Sequence, residues 1–207
     1  MRVLVGCEMS GVVRDAFAKL GHDAWSCDLM DCERGGNHLK MDVFEAIENH
    51  GPWDIGIFHP PCDYLTVSGN KWFKDDIVAS TGVLTGEARR QARDQAVEFV
   101  KRLWSCAIPK VAIENPIGRL STLWMKPTQT VQPWMFGHAE RKATCLWLRG
   151  LPPLTETNNV EEEMLAKPEK EQHRLHWLTP GKQRKIERSR TFEGAAGAMA
   201  NQWGGLK

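Results

Sequence analysis

Short, wholly apolar runs alternate with amphipathic stretches along the first 150 residues, and this alternation narrows the possible folds more than any other feature of the chain. Arg2-Val3-Leu4-Val5-Gly6 is a β-branched run of the kind that fills a central parallel strand, and an amphipathic stretch from Gly11 to Leu20 follows it. A second strand is expected from Asp23 to Cys27, ending at Asp28, and Trp53 to Phe58 reads as a fully buried one. It stops at His59-Pro60-Pro61, because neither proline can donate to a strand ladder. From Gly86 to Trp104, Ala92, Ala96, Phe99, Val100 and Leu103 recur at helical spacing. Lys110 to Ile113 and Thr144 to Leu148 complete the set of strands. Strands alternating with helices predict an α/β fold: a mainly parallel, twisted sheet with helices on both faces.

A length of 207 residues predicts one catalytic domain over 1–207. Within it a loop-rich excursion is expected at about 151–190, where periodicity fades after Leu151-Pro152-Pro153, and a closing helix at about 191–203. Lys and Arg total 27 against 26 for Asp and Glu, so no global field draws nucleic acid, and any such contact must be local. The six cysteines show no Cys-x-x-Cys spacing and no signal peptide precedes them, which fits reduced thiols in the cytoplasm. No apolar run approaches the roughly 20 residues that a bilayer demands. His173 and His176 lack companion cysteines at ligand spacing, so no metal site is expected.

In open parallel sheets chemistry gathers beyond the carboxyl ends of the strands. Glu8, Asp28, Asp42, Cys62 and Glu114 are all expected there, within one cleft. Cys62 follows two prolines on a stiff turn where a thiol can be held in one geometry, although burial as a structural cysteine is the commoner fate. Glu114, at the end of Val111-Ala112-Ile113, would point into the same cleft, with desolvation raising its pKa enough to share a proton with a ring nitrogen.

His59-Pro60-Pro61-Cys62, then Ser68-Gly69, the long helix, and Glu114-Asn115-Pro116 together resemble the cytosine-5 DNA methyltransferase family. The resemblance implies a Rossmann-like S-adenosylmethionine-dependent methyltransferase fold, with Cys62 as nucleophile and Glu114 as the acid that grips the base. Arg141, in Arg141-Lys142, resembles the family's arginine that helps to hold the base oxygen. Cys7-Glu8-Met9-Ser10-Gly11 stands in place of the family's cofactor turn, Asp28 in place of the ribose acid and Asp42 in place of the acid near adenine. With Pro60, these residues are the implied S-adenosylmethionine site.

Two departures stand out. Asp63 follows the cysteine where the family usually has a polar neutral residue, and the segment before the closing helix is too short for a target-recognition domain. Compact relatives of this kind occur among phage and prophage genes. Lys182, Arg184, Lys185, Arg188 and Arg190 form a local basic cluster for phosphate, with Trp72 and Phe73 as stacking candidates; a solvated face and core packing are the competing readings. DNA is the expected partner, and single-stranded DNA, a duplex presented by a partner protein and a free pyrimidine nucleotide all stay open. An amino-group DNA methyltransferase and an inactive nucleic-acid-binding protein on the same scaffold are the alternatives.

Overall fold

The computed structural model describes residues 1–77 and 82–206, apart from the side chains of Ser68 and Lys182. Seven strands form one sheet: β1 (Arg2–Gly6), β2 (Asp23–Asp28), β3 (His38–Lys40), β4 (Ile55–Phe58), β5 (Lys110–Pro116), β6 (Gln129–Val131) and β7 (Thr144–Arg149). Their order is β3-β2-β1-β4-β5-β7-β6, and β7 alone runs against the direction of the other six. This is a Rossmann-like α/β fold, with its strand order reversing between β1 and β4.

Side chains alternate across the sheet and divide the core in two. Val3, Val5, Ile55, Ile57, Ala112 and Leu146 meet Val13 and Phe17 of α1 (Val12–Lys19) and the closing helix, Glu193–Trp203. Leu4, Phe58, Val111, Ile113 and Trp147 meet Ala46 of α2 (Val43–Asn49) and Val97, Val100 and Leu103 of α3 (Gly86–Trp104). Phe58 turns its ring back over its neighbours: a Cβ on Gly6 or Gly56 would lie 2.6 or 2.7 Å from it. Those two glycines let the largest side chain of β4 pack flat against the sheet.

The long helix and the first two strands fall where the periodicity predicts, while β3, α2 and β6 add elements that the sequence reading lacked. The stretch at 151–190 is less irregular than expected. It carries short helices at Glu161–Ala166, Glu169–Gln172, Arg174–Trp177 and Lys182–Ser189, and it buries Leu154, Met164 and Leu175. Among the described residues no helix is long and apolar enough to cross a membrane.

Trp203 anchors the closing helix, being fully buried with its indole N–H donated to the Pro152 carbonyl at 3.0 Å. Trp203→Ala is expected to cost about 3–5 kcal/mol in urea unfolding, the range for emptying a large aromatic site. Trp177→Ala, at a residue that is 58% exposed, should change stability by less than about 0.5 kcal/mol.

Candidate active site

The pairing of β4 with β5 ends at Phe58 opposite Ile113. Beyond it Pro60 and Pro61 cannot continue the ladder, whereas β5 runs on through Glu114, Asn115 and Pro116 by pairing with β7. Glu114 therefore lies within a strand, not past its end as the sequence suggested. Its side chain and that of Asn115 leave on opposite faces. Asn115 donates its amide to the Pro60 carbonyl at 3.0 Å and braces the proline turn from one side. Glu114 meets His59 on the other, Nδ1 to Oε2 at 3.2 Å.

Cys62 closes this turn, its carbonyl accepting the amides of Leu65 and Thr66 at 3.0 and 3.2 Å. Burial pushes the Cys62 thiol above its ordinary pKa, and the carboxylates of Asp63 and Glu114 push it the same way, against Arg188 and Lys142. The thiol is therefore neutral at rest. For Glu114 the sequence expectation is reversed. Burial alone would raise its carboxyl, but the hydrogen bond from His59, the charge of Lys142 and the bond with Thr144 outweigh it and hold Glu114 below the usual range. Cys62 and Glu114 thus form a pair with the proton on sulfur.

Lys142, not Arg141, stands beside Glu114. It lines a small cavity with Glu114, Thr144, Gln132 and Phe192, and its ammonium donates to the Arg190 carbonyl at 3.0 Å. Arg141 is exposed and turned away, its Nε donating to Gln172 at 3.0 Å. The reason is strand parity: Lys142 shares the face of Thr144, Leu146 and Leu148, and Arg141 does not. The same count, carried from Ile55 and Ile57, puts His59 on the Glu114 face. Alternation was thus the signal that could have found both residues.

At the ends of β1 and β2, Cys7 takes a φ of 58° and Gly11 a φ of 71°, so the chain turns sharply into α1. Glu8, expected to face a cofactor, is 5% exposed and caps this helix, accepting the Val13 amide at 2.8 Å and the Ser10 hydroxyl at 3.1 Å. Ser10 in turn accepts from Val12 at 3.3 Å. Asp42 caps α2 through the Phe44 amide at 2.8 Å, and Asp28 accepts the Met30 amide at 2.9 Å. Burial, with the charges of Asp28 and Asp42, drives the Cys7 thiol far above its ordinary pKa.

The basic helix Lys182–Ser189 brings Arg188 within electrostatic reach of Cys62. Lys185 and Arg188 are exposed, while Arg184 donates to the His176 carbonyl at 3.0 Å. Arg190 is engaged elsewhere, with Glu33 and Glu187 each at 2.9 Å. With the Arg34–Glu193 pair at 2.9 Å, this straps the start of the closing helix to the loop after β2. Trp72 is half-buried with the Lys71 ammonium 4.5 Å from its ring centre, and Phe73 packs against the guanidinium groups of Arg89 and Arg93.

No family model matches the chain. No curated protein matches it either. Among solved structures it is similar to a prophage-encoded E. coli protein named as a DNA modification methyltransferase, at 12% identity and a TM-score of 0.43. The match covers 82% of this chain, which spans 56% of the length of that one.

Labelling of Cys62 by iodoacetamide, followed by peptide mass spectrometry, should keep accelerating with pH beyond the range of an ordinary thiol. Glu114→Gln removes a negative neighbour and should move that profile to lower pH. A profile that is unchanged or moves upward would contradict the coupling of the two groups.

Proposed function

We propose that the protein is an S-adenosylmethionine-dependent DNA methyltransferase acting on carbon 5 of cytosine through a transient bond to Cys62. The observation that carries this reading is Cys62 on the proline turn after β4, within electrostatic reach of Glu114, whose carboxyl lines a small cavity with Lys142. A pyrimidine carbon is a poor nucleophile until another nucleophile adds next to it, and this pair supplies that nucleophile.

S-adenosylmethionine, when bound, supplies an electrophilic methyl group on a positively charged sulfonium. The end of the cleft at Cys7, Ser10, Gly11, Asp28, Asp42 and Pro60 would hold it. The carboxylates of Asp28 and Asp42 suit a cation and ribose hydroxyls, and Glu8 already occupies helix amides that would otherwise receive a phosphate. A pyrophosphate cofactor would meet like charge there.

Glu114 takes the proton from Cys62, so the S–H bond breaks and a thiolate and a carboxylic acid form together. The thiolate pair makes the bond from sulfur to ring carbon 6. Electrons of the ring double bonds shift through carbon 5 and carbon 4 to the ring nitrogen, which takes the proton from Glu114. Lys142, on the same wall, is a donor suited to the base oxygen in the role expected of Arg141. After carbon 5 has gained its substituent, loss of the carbon-5 proton to water re-forms the ring double bond and expels the Cys62 thiolate. Glu114 takes back the nitrogen's proton and can return it to sulfur.

A base inside a duplex must first be flipped out, at a cost of a few kcal/mol. With Arg188 exposed and within electrostatic reach of Cys62, and Lys185 exposed on the same short helix, a single strand is the form the protein should take most readily.

A single-stranded oligonucleotide carrying 5-fluorocytosine, incubated with protein and S-adenosylmethionine, should yield a covalent adduct visible in the intact mass. The annealed duplex should react more slowly. Cys62→Ala should give no adduct while melting within a few degrees of the parent. Methylation of an exocyclic amine without any adduct would instead assign the chain to the amino-group class.

A further inference from the structure

His59 is the one polar group in the turn that neither the resemblance nor the proposed reaction employs. Its position is fixed at both ends. Its amide donates to the Gly6 carbonyl at 3.0 Å, tying it to β1, and the following Pro60 confines it to extended backbone. Glu114 is anchored as firmly, paired to Leu146 of β7. The 3.2 Å contact between their side chains therefore joins two residues whose main chains cannot drift apart.

An ionised carboxylate can only accept, so the nitrogen facing it, Nδ1, carries the proton. The neutral ring is then the Nδ1–H tautomer and Nε2 is an acceptor. The side chain is 8% exposed, and Nε2 has no hydrogen-bond partner among the described residues. An unpaired buried acceptor costs about 1–3 kcal/mol, a penalty that an apolar side chain of similar size would not carry. The contact with Glu114 is the polar interaction that offsets it.

We propose that His59 is the positioning residue for Glu114: it grips Oε2 so that Oε1 is presented to both the Cys62 proton and the pyrimidine ring. This rests on the cytosine reading above. The last torsion of a glutamate is broad and nearly two-fold, so without a partner the carboxylate plane samples many orientations. Thr144 of β7 and Lys142 just before it act on the same carboxyl, and Cys62, itself coupled to Asp63 and Arg188, is within electrostatic reach of it. Of these groups, His59 alone lies on the strand end adjoining Glu114 on the β4 side. A displacement of about 1 Å at a reacting group costs on the order of 100-fold in rate.

The test uses the full chain and the rate of adduct formation with the single-stranded 5-fluorocytosine oligonucleotide. His59→Leu should slow the reaction at saturating oligonucleotide by about 100-fold, with the half-saturating concentration little changed. His59→Asn, whose amide N–H stands close to the place of Nδ1–H, should recover most of the loss, which a role in packing alone would not produce. Ring-nitrogen NMR of the free protein reads the same contact without substrate: His59 should hold the single Nδ1–H tautomer, and Glu114→Ala should release it. A His59→Leu variant as fast as the parent, or a parent ring exchanging between both tautomers, overturns the proposal. A parent that never forms the adduct counts against the cytosine chemistry, and the tautomer then decides the role of His59 by itself.

Discussion

The site depends on the point at which β4 and β5 part company. Up to Phe58 and Ile113 the two strands share a ladder; one residue later two prolines remove the donors that would extend it, while β7 keeps β5 extended for three residues more. The gap that opens is held at a fixed width from the α3 face by the amide of Asn115 on the Pro60 carbonyl. On the opposite face it brings His59, Cys62, Glu114 and Lys142 into one neighbourhood. A β4 free to pair as far as β5 does would close that gap.

The two thiols at the strand ends, Cys7 and Cys62, have different charged neighbours. Asp28 and Asp42 add to the effect of burial on the Cys7 thiol, whereas Lys142 and Arg188 partly oppose the carboxylates around Cys62. The Arg190–Glu33 and Arg34–Glu193 pairs fasten the segment before the closing helix to the loop that follows β2. Exposed ion pairs contribute little to stability, about 0–1 kcal/mol each, so this strap sets geometry more than it adds strength.

Much of the scaffold was legible because its central strands are buried on both faces and its long helix keeps its apolar positions in register. Strands β3 and β6, at three residues each, are too short to carry any pattern. Helix α2 left a signal that went unused: Asp42 followed by Val43 and Ala46 is an N-cap with the first turn of an apolar stripe. At the site, motif order singled out Cys62 and Glu114, but the direction of the Glu114 shift was not legible, since it depends on His59 after β4 and on Lys142 and Thr144 at the start of β7, two separate places in the chain. Lys142 and His59 could have been chosen by counting alternate residues along their strands. The strap could not, because its ion pairs join residues with no local relation in sequence.

The central claim is that this cleft modifies carbon 5 of cytosine with Cys62 as nucleophile. Mass spectrometry of nucleosides from DNA of cells expressing the chain, beside cells expressing Cys62→Ser, tests it most directly. The account predicts 5-methylcytosine above background with the parent chain and none with the variant. DNA left unmodified by the folded parent, or equal modification by the variant, would contradict it.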